Sequence, residues 1–225
     1  MNKQEILDIV YKYADEHLNR KAFIPGVSPV PASGAVIYPE DVTEVADALL
    51  EFWYTDWKKC AEFKRRLCAI TGKKYCVLVN SGSSASLIAQ TSLYNKIKVN
   101  RITTTALGFP TTVYPIWQNK KYAQFVDIDP VTLSPNWNRY KSLNSIDNYP
   151  IVTLFTHTLG FPFNEFDISV NSYFIADCCD ALGAKINYGK IGFKSVGYIS
   201  HLMTLSFFPA HHITTAEGGA ILTDD

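Results

Sequence analysis

The adjacent imidazoles His211 and His212 lie in the run Ser206-Phe207-Phe208-Pro209-Ala210-His211-His212-Ile213-Thr214-Thr215-Ala216-Glu217-Gly218-Gly219. Neighbouring side chains rarely turn toward one point, so a vicinal pair is a poor metal chelate. Proton transfer is the chemistry to expect, because an imidazole with an ordinary pKa of about 6.5 changes charge near neutral pH. A second candidate is Asn80-Ser81-Gly82-Ser83-Ser84-Ala85-Ser86-Leu87. Small residues between a strand and a helix let backbone amides converge on an anion. The helix N-terminus adds partial positive charge, and the hydroxyls of Ser83 or Ser84 add donors. Read alone, the segment is equally an ordinary serine-rich helix cap. The third is Asp177 in Phe174-Ile175-Ala176-Asp177-Cys178-Cys179-Asp180-Ala181-Leu182-Gly183. A carboxylate at the end of a buried strand wants a cationic partner, although such an acid also serves as a loop cap. Asp180 stands as its neighbour.

These residues must be held by something, and the hydrophobic spacing says what. Ile6, Ile9, Val10 and Tyr13 predict a helix over Glu5 to His17; Val42, Val45, Ala46, Leu49 and Leu50 predict another over Glu40 to Tyr54. Between them, residues 23–39 carry Pro25, Pro29, Pro31, Gly26 and Gly34, which excludes a regular helix or a central strand and predicts an extended arm. A third helix runs from Lys58 to Ile70 and stops at Gly72. Short apolar runs follow. Tyr75 to Asn80 reads as a buried strand that leads into a helical Leu87 to Leu93. Further strands are expected at Arg101 to Thr105, Ala123 to Ile128, Ile151 to Phe155, Tyr173 to Asp177, Met203 to Phe207 and Ala220 to Thr223. Strands alternating with helices predict an α/β fold with a mostly parallel sheet, whose strand ends carry the chemistry.

The bulk composition narrows the class. A chain of 225 residues with 47% apolar content and zero formal net charge can bury a sizeable core. Its 21 basic residues are scattered, which argues against a nucleic-acid or acidic-membrane partner. No apolar run approaches the roughly 20 residues of a bilayer span, and no signal peptide precedes the first helix, so the expected location is the cytoplasm. Cys60, Cys68, Cys76, Cys178 and Cys179 form no C-x-x-C pair or metal-ligand spacing and read as structural thiols.

The run from Ser206 to Gly219 resembles the DegT/DnrJ/EryC1/StrS aminotransferase superfamily, whose pattern is S-F-x-x-x-K-x-x-T-x-x-E-G-G. Aligning Ser206 and Glu217 with that pattern puts His211, not His212, at the lysine position. The resemblance implies the large domain of a PLP-dependent, fold type I aminotransferase-type enzyme. It also implies that Gly82 and Ser83 grip the cofactor phosphate with Ser206 as a third contact, and that Asp177 faces the pyridine nitrogen. Thr105-Ala106-Leu107-Gly108-Phe109-Pro110-Thr111-Thr112 is similar to the family loop whose aromatic stacks on the cofactor ring, making Phe109 the candidate. Thr156-His157-Thr158-Leu159-Gly160 resembles the loop beneath the cofactor, with His157 a substrate-side or packing residue.

A lysine at position 211 would hold pyridoxal 5′-phosphate covalently; an imidazole cannot, but it can move a proton. Within the family the Pro-Ala-His-His variant resembles the CDP-4-keto-6-deoxyglucose 3-dehydrases of 3,6-dideoxysugar and O-antigen synthesis, which use pyridoxamine 5′-phosphate (PMP). The arm from Phe23 to Gly34 favours that branch over the GDP-4-keto-6-deoxymannose 3-dehydratases, which share the histidine. The implied substrate is a nucleotide sugar, the implied assembly a homodimer, and the implied partner for the CDP branch a reductase. Lys185, Lys190 and Lys194 are the nearest lysines in sequence that could replace the missing one, and nothing in the sequence brings them to the site.

Family members are close to twice this length. The expected organisation is a helix and Pro-rich arm over 1–38 and a cofactor-binding large domain over 39–225, with the C-terminal small domain missing. A [2Fe-2S] cluster, present in the CDP-sugar branch, would belong to that missing part, and none of the five cysteines is assigned to it. The linkers Leu93 to Arg101 and Glu165 to Tyr173 are short, the latter where a crossover helix normally sits. A sugar aminotransferase, and a catalytically inactive remnant acting as a binding or assembly subunit, are the alternatives.

Overall fold

The computed structural model describes residues 1–18, 22–30, 36–144 and 151–225, and the chain divides into two compact units, residues 1–63 and 64–225. In the first, α1 (Lys3–His17) starts at a reciprocal cap. The Asn2 side chain accepts the Glu5 N–H at 3.0 Å, and the Glu5 carboxylate accepts the Asn2 N–H at 3.0 Å. Helix α2 (Pro39–Leu49) begins on a proline, which costs nothing at a position whose N–H has no intrahelical acceptor. It ends earlier than the apolar spacing predicts, because Phe52 takes a left-handed φ of 54°. Lys3 of α1 pairs with Asp47 of α2 at 2.7 Å and with Glu51 just beyond that helix at 2.9 Å. Residues 22–30 of the arm form neither helix nor strand, as the prolines require; Pro31 to Gly34 lie outside the described residues.

Helix α3 (Lys58–Thr71) carries the boundary between the units, and its last turn is closed by Gly72 at φ 79°. Among the described residues, the second unit is built on nine strands: β1 (Tyr75–Val79), β2 (Arg101–Thr105), β3 (Tyr122–Val126), β4 (Ile151–Thr156), β5 (Ser172–Asp177), β6 (Lys185–Asn187), β7 (Phe193–Ser195), β8 (Leu202–Ser206) and β9 (Gly219–Thr223). Seven of them form one sheet in the order β1-β9-β8-β5-β4-β2-β3, and β6 and β7 make a separate hairpin. Strands β3, β2, β4, β5 and β8 are parallel. Strand β9 runs against both β8 and β1, so six of the seven strands point the same way. The expected α/β fold with a mostly parallel sheet is therefore present.

Helices α4 (Gly82–Lys96), α5 (Pro110–Gln118) and α6 (Trp137–Asn144) connect the early strands. Leu93 of α4 and Ile116 of α5 close over Ile102, Val152, Leu154 and Ile175, all buried. Central strands covered on both faces read as unbroken apolar or threonine runs, and Ile102 to Thr105 is such a run. Between β4 and β5 there are only two 3-10 turns, Thr158–Gly160 and Glu165–Asp167, consistent with the short linker.

Two expectations need correction. Strand β1 is not buried: it is the terminal strand of the sheet, and Tyr75 and Val77 remain 58% and 56% exposed. Helix α4 begins at Gly82 rather than at Leu87, because Ser81 supplies the cap and the small residues after it are already helical.

Candidate active site

Parallel strands place their carboxyl ends along one edge of the sheet, and each candidate residue sits at or just after such an end. Behind β1, the Ser81 hydroxyl accepts the Ser84 N–H at 3.1 Å and starts α4. The first amides of a helix have no intrahelical acceptor, so those of Gly82 and Ser83 belong to an open turn. Gly82 is packed against the end of β8: a Cβ there would stand 2.6 Å from Ser206 Cβ, 3.0 Å from Ser206 Oγ and 3.2 Å from Cys179 Sγ. The Ser83 hydroxyl donates to Thr111 Oγ1 at 2.8 Å. Gly82, Ser83 and Ser206, chosen from sequence, are thus brought together, and Thr111 joins them. Amides, three hydroxyls and a helix N-terminus make a donor set suited to a phosphate.

Asp177 ends β5 and is 3% exposed. Its Oδ2 accepts from Thr112 Oγ1 at 2.5 Å and Thr156 Oγ1 at 3.4 Å; its Oδ1 accepts from the Cys179 N–H at 3.2 Å and Thr204 Oγ1 at 3.4 Å. All four donors are neutral, and among the described residues no lysine, arginine or histidine forms an ion pair with it. A buried carboxylate held this way still lacks the positive partner that would offset its desolvation. Phe109 caps α5, its carbonyl accepting the Thr112 N–H at 3.0 Å, and the residue is 67% exposed. It therefore stands in the loop that supplies Thr112 to Asp177.

The two histidines differ. The His211 side chain is 19% exposed, and its Nδ1 lies 3.1 Å from Asp180 Oδ1; His212 faces out. The other oxygen of Asp180 accepts the Leu159 N–H at 3.3 Å, from a residue at φ 54°. The lysines are elsewhere: Lys185 and Lys190 are exposed, and Lys194 lies over the Tyr198 ring at 5.7 Å. His157 is wholly buried, stacked on Phe163 at 4.1 Å with Nε2 3.0 Å from Glu165 Oε1, which makes it a packing residue. Burial pushes the thiols of Cys178 and Cys179 up, away from the reactive thiolate form.

Thr111, Thr112, Thr156, Thr204 and the approach of Asp180 to His211 escaped the sequence reading. One signal was available: Pro110 directly after Phe109 marks the first turn of a helix, which places Thr111 and Thr112 in that turn, beside Ser83 and Asp177.

Residues 36–225 match the family described as the DegT/DnrJ/EryC1/StrS aminotransferase family, and the chain belongs to it. It is 36% identical over 236 residues to the lipopolysaccharide biosynthesis protein RfbH of Salmonella typhimurium, covering 98% of this chain and 52% of that protein. It is 34% identical over 233 residues to a dTDP-4-dehydro-2,6-dideoxy-D-glucose 3-dehydratase of Saccharopolyspora spinosa, covering 98% of this chain and 49% of that protein. Among solved structures, the E. coli GDP-4-keto-6-deoxy-D-mannose-3-dehydratase with bound hydrated PLP superposes with a TM-score of 0.79 at 28% identity, over 88% of this chain and 51% of that one. The chain thus spans about half the length of the relatives it matches. Among the described residues, no helix is long and apolar enough to cross a membrane.

Proposed function

We propose that the chain is the cofactor-binding portion of a PMP-dependent nucleotide-sugar 3-dehydrase acting on a 4-keto-6-deoxy sugar. The observation that carries this reading is His211, which stands at the family's lysine position and is turned inward onto Asp180 while His212 faces solvent. The donor set fits a pyridoxamine phosphate. Gly82, Ser83 and Ser206, with Thr111, would take the phosphate; Asp177 would take the ring nitrogen; Phe109 would cover the ring. When bound, the cofactor supplies an amine for a keto sugar and a ring that draws electrons away from the reacting carbons.

The protein's own part is to orient and to move one proton. Asp177, fixed by four hydrogen bonds, keeps a negative charge where a protonated ring nitrogen belongs. His211 takes up a proton at Nε2 and returns it, while the leaving 3-hydroxyl departs as water. An imidazole does this without fixing the cofactor, so the cofactor would be held without a covalent bond, by the phosphate donors, Asp177 and the ring of Phe109.

The CDP sugar is the favoured substrate. The Pro-Ala-His-His sequence and the arm from Phe23 support it, and the likeness to a lipopolysaccharide biosynthesis protein supports a sugar-nucleotide substrate of that pathway class. The same reading assigns 1–38 to an arm and 39–225 to the binding domain, which the family match over 36–225 supports, and it implies a homodimer with a separate reductase partner. The test is turnover of CDP-4-keto-6-deoxyglucose and GDP-4-keto-6-deoxymannose by the purified protein with PMP, followed by mass spectrometry. Loss of water from the CDP sugar, abolished by His211→Asn, is expected. Loss only from the GDP sugar moves the assignment to the other branch. Transfer of the amine onto either sugar overturns the dehydrase reading in favour of an aminotransferase, and no change in either points to an inactive remnant.

A further inference from the structure

We propose that Asp180 is a positioning residue that fixes the tautomer of His211, a role that deepens the proposed dehydrase reading and rests on it. The geometry carries this. His211 Nδ1 lies 3.1 Å from Asp180 Oδ1, an ion-pair distance, and because a carboxylate oxygen only accepts, a hydrogen shared between the two comes from Nδ1 of the neutral ring. Free imidazole side chains in water favour the other tautomer, with hydrogen on Nε2. Asp180 reverses that preference and leaves the Nε2 lone pair available as the base. It also offers a negative charge beside the ring once Nε2 has taken a proton, as the aspartate of a Ser-His-Asp triad does for its histidine.

The carboxylate is itself held from a second direction. Its Oδ2 accepts the Leu159 N–H at 3.3 Å. Leu159 takes φ 54° and ψ 23° to present that amide, a left-handed conformation that is unfavourable for a leucine. Gly160 follows at φ 78°, and a Cβ there would stand 3.0 Å from the Asp180 carbonyl oxygen. The loop after β4 is therefore shaped around Asp180. One turn also carries both acids: Asp177, aimed at the proposed cofactor, and Asp180, aimed at the proposed base, are three residues apart. A shift in that turn would move both together.

The test uses long-range proton–nitrogen NMR of the histidine rings in the purified, nitrogen-15-labelled protein, with the His211 signals identified by their loss in His211→Asn. At a pH where the ring is neutral, wild type is expected to show the Nδ1–H tautomer. Asp180→Asn, whose side-chain oxygen still accepts, should keep it; Asp180→Ala should revert to the Nε2–H form. In turnover, Asp180→Ala should lower kcat about 100-fold, within the range of general-base contributions, with KM changed less than about threefold, and Asp180→Asn should recover part of it. An Nε2–H tautomer in wild type, or an Nδ1–H tautomer that survives Asp180→Ala, overturns the proposal. If Asp180→Ala does not fold, the wild-type tautomer and the retained tautomer in Asp180→Asn still decide it. The spectra need neither cofactor nor substrate. A correct tautomer in a protein without dehydrase activity would therefore refute the proposed function and leave the Asp180-set tautomer of His211 standing.

Discussion

Gly82 meets Ser206 where the first turn of α4 abuts the end of β8, and a Cβ on residue 82 would lie 2.6 Å from Ser206 Cβ. That separation is well inside any real contact between side-chain carbons, so position 82 tolerates only hydrogen. The close approach sets the hydroxyl of Ser206 beside the open amides of α4. Gly82→Ala should cost about 1–3 kcal/mol by overpacking and weaken PMP binding at least tenfold, read by thermal denaturation and by absorbance titration. Unchanged affinity would separate this turn from the phosphate site.

Asp177 separates charge from shape. Asp177→Asn keeps most of the hydrogen-bonding outline but removes the charge. A hydrogen bond to a charged group contributes about 1.5–3 kcal/mol, so PMP affinity should fall roughly 10- to 100-fold while the circular dichroism spectrum is unchanged. Equal affinity in the two proteins would mean that the ring nitrogen is not Asp177's partner.

Glu165 is the buried acid that the proposed chemistry does not use. It accepts from His157 Nε2 at 3.0 Å, from the Tyr188 hydroxyl at 2.6 Å and from the Gly197 N–H. Beside this carboxylate, and buried, Tyr188 has its pKa raised, chiefly by desolvation and then by the Glu165 charge. Glu165→Leu would strand three donors at about 1–3 kcal/mol each. The chemical-denaturation midpoint should fall steeply, and a small shift would show that the network contributes little.

His201 supplies a pH dependence. Its Nδ1 accepts the Phe174 N–H at 3.1 Å, and desolvation, then the charge of Lys73, lowers its pKa below 6.5. The unfolded chain therefore binds a proton more readily than the folded one. The stability contribution is complete above pH 6.5 and is lost as pH falls through the depressed folded value. Melting temperature should drop on acidification below pH 6.5, and His201→Gln should flatten that part of the curve. An identical slope in the variant would assign the acid sensitivity to other groups.

The sheet was legible because its strands are short apolar runs separated by loops, and the predicted strands at Arg101–Thr105, Ile151–Phe155 and Tyr173–Asp177 match the observed elements within one residue. Helices α5 and α6 were not legible, since Pro115 interrupts one and Trp137 to Asn144 has little apolar spacing. The half-exposed β1 was hidden for another reason: an apolar run does not say whether a strand lies at the centre or the edge of a sheet. At the site, the run around His211 and the serine-rich turn pointed to residues by their order in the chain. The threonines around Asp177 come from α5, β4 and β8, and only the parallel register of the sheet brings those ends together.

The central claim is a PMP site without a covalent lysine. Its most direct measurement is titration of the purified protein with PMP and, separately, with PLP, followed by absorbance and borohydride treatment. Saturable PMP binding, with no PLP fixed to the polypeptide after reduction, is the predicted result. PLP covalently fixed to a lysine of this chain, or no binding of either compound, would contradict it.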